Sequence, residues 1–76
     1  MNRPRRAKLR EIMDQIDELK TALEWLQEEE EEYRDNIPEN MQGSERYEKA
    51  DEACSNLYEA VSSMEEAISS IEAAIE

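Results

Sequence analysis

The chain has no histidine and no phenylalanine, and only one cysteine, one glycine and two prolines. Each scarcity closes off a class of protein. Without His, the usual general bases, activated nucleophiles and imidazole metal sites are gone, including the Glu-x-x-His motif of di-iron bundles. A single glycine cannot build a phosphate-cradling loop. A single cysteine, Cys54, rules out an intrachain disulfide framework and fits a reducing compartment. No apolar run approaches the ~20 residues that span a bilayer. The basic N-terminus is not followed by the apolar stretch of a signal peptide, because Glu11, Asp14 and Asp17 intervene. The expectation is a cytoplasmic chain with no cofactor, no membrane contact and no enzymatic activity.

What is abundant is charge, at 39% of 76 residues, with a net of −12. The sign is unevenly spread. Residues 1–10 hold five bases and no acid, leaving four bases against 21 acids in the remainder, a net of −17. No base follows Lys49. Such an acidic body repels nucleic-acid backbones and suits solubility or a basic protein partner. Direct nucleic-acid binding is therefore not expected. The bases of residues 3–10 lack a base-reading element, and pairing with an acidic neighbour is the preferred reading.

High charge with few aromatics also describes disorder, but the apolar residues are periodic. Leu9, Ile12, Ile16, Leu19, Leu23, Leu26, Tyr33 and Ile37 alternate at spacings of three and four, interrupted only at Glu30. After a break, Tyr47, Ala50, Cys54, Leu57, Val61, Met64, Ile68, Ile71 and Ile75 do the same without interruption. Both are heptad seams of the kind that pack helix on helix. The second half is also a degenerate seven-residue repeat, with Ala53, Ala60, Ala67 and Ala74 beside the seam, Ser on the far face and Glu next to it. A column of small side chains widens the apolar stripe and lets another helix come close.

The segment between the seams carries the breakers. Ile37 precedes Pro38 and so resists the α conformation, which ends helix 1 near Asp35 or Asn36. Pro38 starts a short helical turn, Gly43 supplies permissive backbone, and Ser44 is placed to cap helix 2 with Glu45 and Glu48 in its first turn. Pro4 suits the first turn of helix 1. The expected fold is all-α: one antiparallel two-helix hairpin over residues 1–76. Helix 1 spans about 5–35, the turn about 36–44 and helix 2 about 45–75. Folding near residue 40 sets Leu9 by Ile71, Ile16 by Met64, Leu23 by Leu57 and Tyr33 by Tyr47. It also sets the basic N-terminus beside Glu65, Glu66, Glu72 and Glu76.

Two touching helices bury only the facing part of their stripes. Met13, Ala22, Trp25 and the Ala53, Ala60, Ala67, Ala74 column lie off the strict seam and call for a second surface. A homodimer, forming a four-helix bundle, supplies one economically. Trp25 either belongs to that second interface or anchors another partner. Cys54, between Ala50 and Leu57 in the seam, reads as a small core residue rather than a reactive thiol. The run Glu28–Glu32 points around most of a helix and does not converge on a cation.

The turn and the start of helix 2, Asn36-Ile-Pro-Glu-Asn-Met-Gln-Gly-Ser-Glu-Arg-Tyr-Glu-Lys-Ala50, resemble a segment of small acidic helical-hairpin proteins. These are encoded by gut-dwelling Firmicutes and their phages or mobile elements. The resemblance implies a bacterial or phage origin and a cytoplasmic setting, and transfers no activity or site. Two functional expectations follow from the sequence as a whole. The first is a non-enzymatic, self-associating interaction or scaffold module. The alternative is an acidic mimic of nucleic acid that occupies a DNA- or RNA-binding host protein.

Overall fold

The computed structural model describes residues 1–76 as two helices, α1 (Arg3–Asp35) and α2 (Glu45–Ile75), joined by a single 3₁₀ turn (Glu39–Met41). The helices run antiparallel and pack along their length as a two-helix hairpin. No strand forms, and no helix is long and apolar enough to cross a membrane.

The termini of each helix follow from local chemistry. Asn2 caps α1, its side-chain oxygen accepting the Arg5 backbone N–H at 2.9 Å, with Pro4 in the first turn where its missing donor costs nothing. At the other end the Asn36 N–H still reaches the Glu32 carbonyl at 3.0 Å, and the extended backbone of Pro38 (ψ 144°) then breaks the ladder. Ser44 caps α2, its hydroxyl oxygen accepting the Tyr47 N–H at 3.3 Å while its own O–H donates to the Met41 carbonyl at 2.6 Å. Gly43 keeps a negative φ, and a Cβ placed on it would meet nothing within 4 Å. The turn therefore does not depend on the freedom of glycine.

The shape is a rod of 59 × 15 × 13 Å with a radius of gyration of 17.3 Å. A compact chain of this length would have about 11 Å. Only Ile37, Ala50, Cys54 and Val61 are buried, none of them completely, and three of these lie on α2. The accessible surface is 5876 Å², whereas a compact folded monomer of this mass exposes about 4,800 Å². About 1,000 Å² is thus left open that a globular fold would have covered.

α2 presents the seam its periodicity predicts: Tyr47, Ala50, Cys54, Leu57, Val61, Met64, Ile68, Ile71 and Ile75 are all buried or half-buried. α1 does not. Its sheltered residues Arg6, Leu9, Met13, Ile16, Lys20, Leu23, Gln27, Glu30 and Arg34 again alternate at three and four, with Glu24 and Glu31 also half-buried beside Lys20 and Gln27. The column Leu9, Ile16, Leu23, Glu30 is as expected. Its companion is Arg6, Met13, Lys20, Gln27, Arg34 in place of Ile12, Leu19, Leu26, Tyr33. α1 is rotated by one column about its axis relative to the expected seam. Met13 accordingly belongs to the hairpin itself and not to the outlying set with which the sequence grouped it.

Candidate interaction surface

Two edges flank the line where α1 meets α2, and cross-helix bonds fix what lies on each. On one edge, Arg34 donates from Nη1 to Asp51 at 2.9 Å and from Nε to Asp35 at 3.0 Å. Lys20 lies 3.8 Å from Glu65, with Glu24 at 3.8 Å and Asp17 at 3.9 Å. Asp35 and then Asp51 hold the Arg34 guanidinium firmly in its charged form. This edge joins the α1 column of Met13, Lys20, Gln27 and Arg34 to the α2 column of Asp51, Tyr58, Glu65 and Glu72. Exposed pairs of this kind contribute about 0–1 kcal/mol each, so they orient the edge more than they hold it.

On the opposite edge the marker is Arg46, whose Nε–H donates to the Tyr33 hydroxyl at 2.7 Å, its guanidinium 5.2 Å from the ring centre. Tyr33 thus pairs with Arg46, the residue next to the Tyr47 that the sequence set beside it. Arg46 begins the column Ala53, Ala60, Ala67, Ala74, and Tyr33 ends the column Ile12, Leu19, Leu26. Stepping seven residues along each antiparallel helix sets Leu26 level with Ala53, Leu19 with Ala60 and Ile12 with Ala67. Alanine is too short to cover these side chains. Ile12 remains 44% exposed, Leu19 61%, Leu26 55% and Tyr33 43%.

The result is one continuous apolar face, a ridge of large side chains on α1 beside a groove floored by Ala on α2. Its outer borders are Lys8, Gln15, Ala22 and Glu29 on α1, and Lys49, Asn56, Ser63 and Ser70 on α2. Of the chain's 21 carboxylates, Glu29 alone falls in these columns. The acids cover the rest of the rod and leave this face bare. Ala22 therefore sits on the border of the face with the Ala column. Trp25 does not share it: 69% exposed, it stands one column further round, in an open cleft with Glu28, Glu29, Glu32 and Asp35.

The basic N-terminus is also placed differently from its expectation. None of the bases of residues 3–10 lies within 4.0 Å of a carboxylate. The register that pairs Tyr33 with Arg46 brings Glu76 level with about Arg3, by equal rise in both helices. Arg3 therefore reaches the very end of α2, and Arg5 lies beside its last turn.

Nothing else on the rod gathers reactive groups. No three carboxylate or thiol side chains converge as a metal site. Cys54 is buried, and burial pushes its thiol up from the usual range, with Arg34 offsetting only part. A thiol so placed is a poor nucleophile. Comparison of the chain with protein-family models, with curated proteins and with solved structures finds no match.

Proposed function

We propose that this chain is a non-enzymatic interaction module, a helical hairpin that self-associates through its open apolar face and offers its acidic outer columns to a basic protein partner. The observation that carries this reading is the row Ile12, Leu19, Leu26, Tyr33, left 43–61% exposed on a chain whose other exterior is dense with charge. Contiguous apolar patches of this kind mark association sites in soluble proteins. The rod as a whole exposes about 1,000 Å² more surface than a compact chain of its mass, against the ~800 Å² each partner buries in a standard interface.

Mimicry of nucleic acid calls for a row of carboxylates along one exposed face. The acids here wrap the back of α1 and thin out on α2, where Ser55, Ser62, Ser63, Ser69 and Ser70 intervene. That layout favours a plain association module. Light scattering across a concentration series tests the proposal: a dimer near twice 8.9 kDa is expected, and a folded monomer at every concentration overturns it.

A further inference from the structure

The open face has a centre, and its pattern reads the same in both directions from it. Leu19 is flanked seven residues away by Ile12 and Leu26, and Ala60 by Ala53 and Ala67. Because Leu19 and Ala60 are level with each other, one axis running across the face between them relates each half of the pattern to the other. A surface that matches itself under a two-fold rotation is what an isologous dimer requires.

Two such rotations are available. If the axis runs along the helices, the two turns meet at one end of the bundle. If it runs across them, the turns lie at opposite ends. Charge decides between them. Residues 28–52, which form the turn end, contain eleven acids and three bases, a net of −8. At the far end, the five bases of residues 1–10 lie beside two acids in the level stretch of α2, residues 70–76, a net of +3. Bringing two −8 ends together in one bundle is repulsive, whereas setting each −8 end against the end with the unpaired bases is attractive.

Resting on the reading that the face closes on a second copy, we infer that two hairpins pack face to face about the axis across Leu19 and Ala60, with their turns at opposite ends. Leu19 of each protomer then meets Leu19 of its partner. Ile12 meets the partner's row at Leu26, and the Ala columns close on each other, their short side chains permitting near approach of the two α2 backbones. Arg5, with no carboxylate of its own chain within 4.0 Å, comes level with Tyr33 of its partner. At the border, Lys8 comes opposite Glu29, the face's one carboxylate.

Single-cysteine variants in a Cys54→Ala background test the arrangement in a glutathione redox buffer, read on a non-reducing gel alongside light scattering of the parent. Leu19→Cys is expected to convert almost completely to a disulfide-linked dimer, because residue 19 lies at the axis. Ile12→Cys is expected to stay unlinked, because its two copies are about 21 Å apart along the bundle, fourteen residues at 1.5 Å each. A dimeric parent whose Leu19→Cys variant fails to link, or whose Ile12→Cys variant links as readily, overturns the arrangement and leaves self-association standing. A monomeric parent overturns both.

Discussion

Leu19→Glu separates the hairpin from its association. Leu19 is 61% exposed within one chain, so the hairpin alone loses little by the change, within about 0.5 kcal/mol as for other surface substitutions. In a closed face the calculation differs. Full burial of a leucine is worth about 1.5–3 kcal/mol, and three-fifths of that remains to be gained on association, or about 1–2 kcal/mol per protomer. A symmetric dimer counts it twice, giving about 3 kcal/mol, or roughly a hundredfold in the dissociation constant. The two introduced carboxylates would also meet each other across the axis, so a hundredfold is a lower bound. The assay is sedimentation or light scattering over a concentration range, with thermal melts at the same concentrations. The parent's midpoint should rise with concentration as mass action requires, and the variant's should not. An unchanged mass and an unchanged concentration dependence would refute the assignment of this face.

Three further outcomes are expected. Val61→Asp, at a position only 8% exposed in the α2 seam, should abolish the cooperative melt by placing a charge where apolar contact is needed, a loss of about 3 kcal/mol or more; a circular-dichroism melt like the parent's would contradict the seam. Glu30→Leu should raise the midpoint by several degrees, because Glu30 is half-buried in the central α1 column, makes no ion pair or side-chain hydrogen bond, and a partly buried leucine there adds about 1 kcal/mol; a lower midpoint would show that the carboxylate is accommodated. Burial raises the Cys54 pKa in the folded chain, so its contribution to stability is complete below the unfolded value of about 8.5 and is lost as pH rises through the folded value. The parent should therefore lose more stability than Cys54→Ala between pH 8 and 10 in urea titrations, and parallel losses would remove the thiol from the account.

The two helices were unequally legible, for a physical reason that particular residues make plain. On α2 every column carries a distinct chemistry: large apolar residues in the seam, Ala on one flank, Asp51, Glu65 and Glu72 on the other. Only one rotation of the helix satisfies all three, and the structure adopts it. On α1 the central column of Leu9, Ile16 and Leu23 has apolar residues on both sides, Ile12, Leu19 and Leu26 to one and Met13 to the other. Periodicity measures how wide such a stripe is and where its densest part lies. It does not say which half a single neighbour will cover.

What turns α1 is visible in the sequence only when the two halves are read against each other. Lys20 and Arg34 are fourteen residues apart on one flank of α1, and Asp51 and Glu65 are fourteen apart on one flank of α2. In an antiparallel pair these two columns meet in register, as the 2.9 Å and 3.8 Å contacts record. Each contact is weak, but beyond the Arg46–Tyr33 bond beside the turn the other flank offers little against them: Ala53, Ala60 and Ala67 offer one methyl group apiece to side chains several times larger. The hairpin is therefore closed on its charged edge and incomplete on its apolar one. A two-helix unit that places its largest exposed aliphatic residues in a single row, and keeps all but one of its carboxylates off that row's face, is built like half of a larger bundle. The same asymmetry that obscured the α1 seam in the sequence is what leaves the face available for a second hairpin.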